Sequence, residues 1–164
     1  MRNIAALTIA WLAFAIWTPA LWAQKGADIN QVIALRQKAD EAMVQFDSLS
    51  AERNDELLPE LQRAVAEDFD ETLLDVAFAR IASNKTAMDS AAATVQARWN
   101  AAMVSARTAF RAGILNEHMF TSFLHGKKDA DLHLAEPPPA QLTLDLQEAR
   151  IRFPNLPRIY EAGH

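Results

Sequence analysis

The chain has 164 residues, 51% of them hydrophobic, no cysteine, only four glycines and a net charge of −5 at pH 7. This length supports one domain with a modest core, and the scarcity of glycine argues against an all-β fold built on tight turns. The missing cysteines exclude disulfides and thiolate metal sites, and an acidic chain without a basic patch is a poor candidate for binding nucleic acid.

Residues 1–23 have the pattern of a targeting segment. Arg2 precedes an uncharged apolar run from Ile4 to Trp17, Pro19 follows it, and Ala23 is a plausible cleavage point for a signal peptide. A retained membrane anchor is the alternative, because the run extended to Ala23 reaches the roughly 20 residues that a spanning helix needs. Either reading predicts export to a bacterial periplasm, with or without an anchor in the inner membrane.

The first predicted helix covers residues 28–49. Asp28 suits the N-cap position, and Ser48 and Ser50 indicate the predicted end of the helix. Apolar residues recur between them at alternating steps of three and four, the spacing of a coiled-coil-like seam. These residues are Val32, Leu35, Ala39, Ala42, Phe46 and Leu49.

Two further helices are predicted at residues 55–83 and 86–124, with a turn at residues 83–85 between them. Pro59 is tolerated only in the first turn of the second helix. The third helix carries a stripe of mostly small residues, which lets a partner helix approach closely. The stripe consists of Ala92, Val95, Trp99, Ala102, Ala106, Ala109, Phe110 and Gly113.

Charge separates these helices. Residues 28–75 hold thirteen acidic and four basic side chains, whereas residues 76–116 hold five basic side chains and a single acid. Opposite charges favour placing the acidic helices beside the basic one, although two independently solvated faces are an equal alternative. The predicted fold is therefore all-α: an elongated antiparallel three-helix bundle, or coiled-coil-like hairpin, over residues 24–124.

The remaining residues, 125–164, predict a loop and a Pro-rich tail. Residues 125–131 are predicted to form a polar loop, and residues 136–139 a stiff polyproline-like spacer. The positions of Leu142, Leu144 and Leu146 fit either a helix or a strand, and the prolines predict an extended chain at residues 154–160.

The tail is too short to form its own core, so it either packs back on the helices or docks on another protein. Large apolar residues carry most interface energy, and they are the candidate partner-binding residues of this tail. They are Leu142, Leu146, Phe153, Leu156, Ile159 and Tyr160.

Two other candidate sites have ordinary structural alternatives. If residues 125–133 were helical, His125, Asp129 and His133 would share a face and offer nitrogen and oxygen ligands to a metal such as zinc; a solvated polar loop is the favoured reading. Trp99 and its neighbours Met103 and Phe110 form either a ligand groove or ordinary core.

No sequence motif supports catalysis. The chain lacks a Gly-rich phosphate loop, a Gly-x-Ser-x-Gly elbow, a His-Glu-x-x-His pair and a Glu-x-x-His di-iron motif. We therefore expect a non-enzymatic, cofactor-free, exported adaptor or accessory subunit of a cell-envelope assembly, able to form homo-oligomers and acting by protein–protein contact. The alternative is a periplasmic helical-hairpin stress chaperone or metal sensor.

Overall fold

A computed structural model describes residues 28–67 and 71–154, and within these ranges the chain is helical and contains no β-strand. The predicted all-α class is therefore confirmed, while several predicted boundaries are wrong. A π-helical turn at Arg53–Leu57 connects the first two α-helices. The α-helices are α1 (Ile29–Glu52), α2 (Leu58–Ala66), α3 (Glu71–Arg111), α4 (Glu117–Leu134) and α5 (Ala140–Arg152).

Helix α1 begins as predicted but ends later. The Asp28 side chain caps it by accepting a hydrogen bond from the backbone N–H of Asn30 at 3.0 Å. The predicted break at Ser48 and Ser50 is wrong, because both residues lie inside the helix. The Ser50 hydroxyl instead accepts a hydrogen bond from the Arg53 guanidinium at 3.4 Å.

The π turn corrects the phase of the apolar stripe. The side chains that face inward here follow at steps of four residues: Leu49, Arg53, Leu57 and Leu61. Over three such steps a regular α-helix would rotate this stripe by about 120°. The turn is closed by the Leu58 N–H bonding to the Arg53 carbonyl, five residues earlier, and so absorbs one extra residue. Leu57 and Leu61 are therefore both fully buried.

Helix α3 is continuous through residues 83–85, where a turn was predicted. Asn84 is buried there, and its amide donates to the Leu49 carbonyl at 3.0 Å and to Glu52 Oε2 at 3.1 Å. The polar residue that suggested a turn thus bonds across to α1. This contact, together with the Arg98 guanidinium on the Lys38 carbonyl at 2.9 Å, shows that α1 and α3 run in opposite directions.

The predicted helix 86–124 is interrupted, because α3 ends at Arg111. Gly113 adopts a φ of 72°, a left-handed conformation that suits glycine. The N–H of Ile114 bonds to the Ala109 carbonyl at 2.9 Å and that of Gly113 to Phe110 at 3.0 Å, which is the Schellman pattern of a helix end. Asn116 then caps α4 by accepting from the Met119 N–H at 2.9 Å.

The predicted loop at residues 125–131 is also wrong, since α4 continues to Leu134. Lys127 and Asp131 form an ion pair one turn apart along the helix, which favours helix. The domain boundary predicted at residue 124 consequently falls inside a helix.

Residues 140–152 form helix α5. This part of the tail packs back on the other helices, which was one of the two alternatives predicted for it. Its inner side chains join a core, the α5 cluster, with residues of α2, α3 and the π turn. The cluster consists of Leu57, Leu61, Ala64, Leu74, Ala77, Phe78, Ile81, Leu142, Leu146 and Ala149.

Two more clusters follow along α3. The central cluster combines α1, α3 and α4: Ala39, Ala42, Phe46, Met88, Ala91, Val95, Trp99 and Ala130. The loop cluster lies where α1 begins and α3 ends: Val32, Ala106, Ala109 and Leu115. The α3 side of the loop cluster consists of alanines, whereas that of the central cluster also includes Met88 and Trp99. The predicted stripe is buried over Val95–Ala109.

Candidate partner-binding groove

The structure separates the predicted partner-binding residues. Leu142 is fully buried and Leu146 is 5% exposed, while Phe153 packs against the same α5 cluster. In this structure the three residues pack in the protein's own core, which is the packing-back alternative for this part of the tail, and their docking on a partner stays a prediction. Leu156, Ile159 and Tyr160 lie outside the described residues.

The three candidate metal ligands do lie on one helix, α4, but they do not converge. The His133 Nε2 atom lies 2.7 Å from Asp47 Oδ1 on α1, its Nδ1 lies 3.5 Å from Glu136 Oε2, and its ring packs edge-on against Phe46. No group of three or more His, Cys, Asp or Glu side chains in residues 28–67 and 71–154 is arranged to hold a metal ion. His133 instead connects α4 to α1.

Trp99 forms part of the core and does not line an open site. Its side chain is 2% exposed, and the Arg36 guanidinium stacks on the indole with its Cζ atom 4.2 Å from the ring centroid. Arg36 is held in place by Asp40, whose carboxylate accepts from its Nε at 2.9 Å. On the α4 side, Gly126 approaches both side chains so closely that a Cβ atom would lie 2.7 Å from Arg36 Nη1 and 2.9 Å from Trp99 Cη2.

We expect Gly126→Leu to lower the free energy of unfolding by about 1–3 kcal/mol, because the added side chain would collide with Arg36 and Trp99 in a filled space. Urea denaturation followed by circular dichroism measures this. Ser122→Leu, on an exposed position of the same helix, is the control and should change stability by less than about 0.5 kcal/mol. Equal stability of the two variants would contradict the close approach of α4.

An open groove lies between α3 and α4, and we call it the α3–α4 groove. Its volume is about 490 Å³. Each helix contributes four residues at positions i, i+3, i+4 and i+7, the spacing of one helical face, and Leu132 adds to the α4 side. The lining residues are Asn100, Met103, Val104, Arg107, Leu124, Lys127, Lys128, Asp131 and Leu132.

The groove combines exposed apolar surface with positive charge. Val104 is 64% and Leu132 63% exposed. Apolar side chains that are exposed together in one patch mark a surface that contacts another molecule. Lys127 is neutralised by Asp131. Arg107 and Lys128 form no ion pair with any residue of the described ranges, so the groove has a net positive charge.

The predicted pairing of acidic and basic helices occurs in only one place among the described residues. Arg80 of α3 forms ion pairs with Glu60 and, at 3.7 Å, with Glu56. Arg107 and Arg111 make no such pair. These two guanidinium groups of the second half of α3 are therefore exposed at the surface.

Of the three residues weighed as a ligand groove in the sequence, only Met103 lines this one, and its α4 side was not predicted, although one signal was available. Val104 departs from the α3 stripe, and Leu124 and Leu132 lie on a segment that was interpreted as a helix end and a loop. Reading the Gly113 and Asn116 caps correctly would have placed these leucines on a second helix beside Val104.

Comparisons with known proteins assign no function: no protein-family model, curated protein or solved structure matches the chain. Within the described ranges, no helix is both long and apolar enough to cross a membrane. The predicted leader or anchor, residues 1–23, lies outside those ranges. The α3–α4 groove is therefore the feature from which we infer a function.

Proposed function

We propose that the protein is a non-enzymatic adaptor, exported to the cell envelope, that binds an amphipathic helix of a partner protein in the α3–α4 groove. The observation that carries the proposal is the pair of helical faces, each with i, i+3, i+4 and i+7 spacing, that line one apolar and cationic groove. Grooves of this kind bind helices through anchors at matching spacing.

The apolar part of the groove provides the binding energy. Met103 forms its floor and is nearly buried, while Val104 and Leu124 lie beside it with their side chains exposed. A partner helix inserted here would cover these side chains and remove their apolar surface from water. On this reading, α1, α3 and α4 form an elongated three-helix bundle and the partner supplies a fourth helix.

The charged part of the groove selects the partner. Arg107 and Lys128 lack carboxylate partners among the described residues, so an acidic side chain on the incoming helix would pair with them, while a basic one would be repelled. Charges at the rim of an interface chiefly set specificity and association rate. We therefore infer that the partner helix has an acidic stripe beside its apolar face.

The test uses two synthetic amphipathic peptides of about five helical turns, with the same apolar face and either glutamate or lysine beside it. We expect fluorescence anisotropy to show binding of the acidic peptide, weakened about tenfold or more by Val104→Asp in the groove. Lys128→Glu should weaken binding of the acidic peptide by a smaller factor than Val104→Asp, and should reduce the dependence of that binding on salt concentration.

Val44→Asp is the matched control, because Val44 is an equally exposed valine, on α1 and away from the groove. It should leave peptide binding unchanged. Equal affinity for the two peptides, or equal loss of binding in the two aspartate variants, would contradict the proposal. Loss of a homodimer in Val104→Asp, measured by sedimentation, would instead identify the occupant as a second copy of the chain.

A further inference from the structure

A second exposed apolar surface lies at one end of the molecule, around the turn between α3 and α4. Phe110, Ile114 and Met119 are each between 36% and 41% exposed there. The Phe110 ring is stacked on Phe120 with 4.6 Å between the centroids, so it is held at the surface. We call these three side chains the apolar end.

The apolar end lies where the described chain begins. Val32, in the first turn of α1, is buried with Ala109 and Leu115, and Ile29 packs on the same loop cluster. Asp28, the first described residue, therefore lies next to the turn that carries the apolar end.

The chain that precedes Asp28 is strongly apolar. No charged residue occurs between Arg2 and Lys25, and the apolar stretch ends at Ala23, five residues before Asp28. Five extended residues reach at most about 17 Å. A retained membrane anchor at residues 4–23 would therefore keep the start of α1 within that distance of the bilayer.

We propose that the apolar end contacts a phospholipid bilayer, the same bilayer that holds residues 4–23. Phe110, Ile114 and Met119 would lie at the boundary between headgroups and acyl chains, where aromatic and aliphatic side chains of a peripheral surface bind. Of the charged groups near them, Arg111 at the end of α3 is opposed by Glu117 in the first turn of α4. Apolar contact rather than net charge therefore drives the association.

This contact is separate from the α3–α4 groove, because none of the three apolar-end side chains lines the groove. It orients the molecule. The α5 cluster is built on the first part of α3 and the loop cluster on its last part, so the α5 cluster would point away from the lipid.

The absence of cysteine makes the test direct, since single cysteines can be introduced one at a time. The full chain carrying Ile114→Cys or Met119→Cys is labelled with a nitrobenzoxadiazole fluorophore and reconstituted in phosphatidylcholine–phosphatidylglycerol vesicles. We expect blue-shifted emission and about twofold quenching by lipids that carry a shallow doxyl group, because both positions would lie in the interfacial layer.

Two matched positions serve as controls. Ile151→Cys, 81% exposed on α5, and Val44→Cys, 68% exposed near the middle of α1, should keep the emission seen without vesicles and remain open to aqueous iodide. Labels at 114 and 119 that stay as accessible to iodide as the label at 151 would overturn the proposal. Equal lipid quenching at all four positions would also overturn it, since the contact would then not be confined to this end.

Discussion

Replacing Leu142 by alanine is expected to lower the free energy of unfolding by about 2–5 kcal/mol, the range for a leucine removed from a filled core. Leu142 is fully buried in the α5 cluster, against side chains of α2, α3 and the π turn. Urea denaturation followed by circular dichroism gives the difference. The size of the effect depends on how far the neighbouring side chains can collapse into the space left behind.

Leu144→Ala is the matched control for this experiment. Leu144 lies on the same helix but is 58% exposed, so its truncation should change stability by less than about 0.5 kcal/mol. Similar small effects for Leu142→Ala and Leu144→Ala would mean that α5 is not packed on the protein. Docking of residues 140–152 on another molecule would then become the better explanation of their apolar face.

Trp99→Ala is expected to lower the free energy of unfolding by about 3–5 kcal/mol. The indole belongs to the central cluster shared by α1, α3 and α4, and its loss also removes the surface on which the Arg36 guanidinium stacks. Because three helices contact this side chain, the variant should also unfold with reduced cooperativity in thermal melts.

Trp99→Phe separates the packing of the ring from its polar group. The Nε1–H of Trp99 is buried without a hydrogen-bond partner in the described structure, and a phenyl ring removes that uncompensated donor. We expect the phenylalanine variant to lose less than about 1.5 kcal/mol. A loss as large as that of Trp99→Ala would show that the indole N–H is satisfied, by a bound water for instance.

The sequence was informative where local chemistry determines the backbone. The helical class, the start of α1 at Asp28 and the buried stripe from Val95 to Ala109 all follow from side-chain capping and helical periodicity. The end of α3 could have been read in the same way, since Gly113 and Asn116 are ordinary signals for the end of one helix and the start of the next.

The remaining errors arose where a residue acts through a distant contact. Asn84 and Gly126 are turn formers by composition, yet one bonds to the Leu49 carbonyl and the other leaves space for Trp99. The Leu49 carbonyl is 35 residues from Asn84 in the sequence, and Trp99 is 27 residues from Gly126. Tertiary context of this kind overrides local propensity, and it also concealed the candidate groove.

The 41 residues of α3 run without a break through all three clusters. At 1.5 Å per residue the helix is about 60 Å long. Helix α1 packs along much of that length. A continuous helix supported in this way would keep molecules bound at its two ends at a fixed separation.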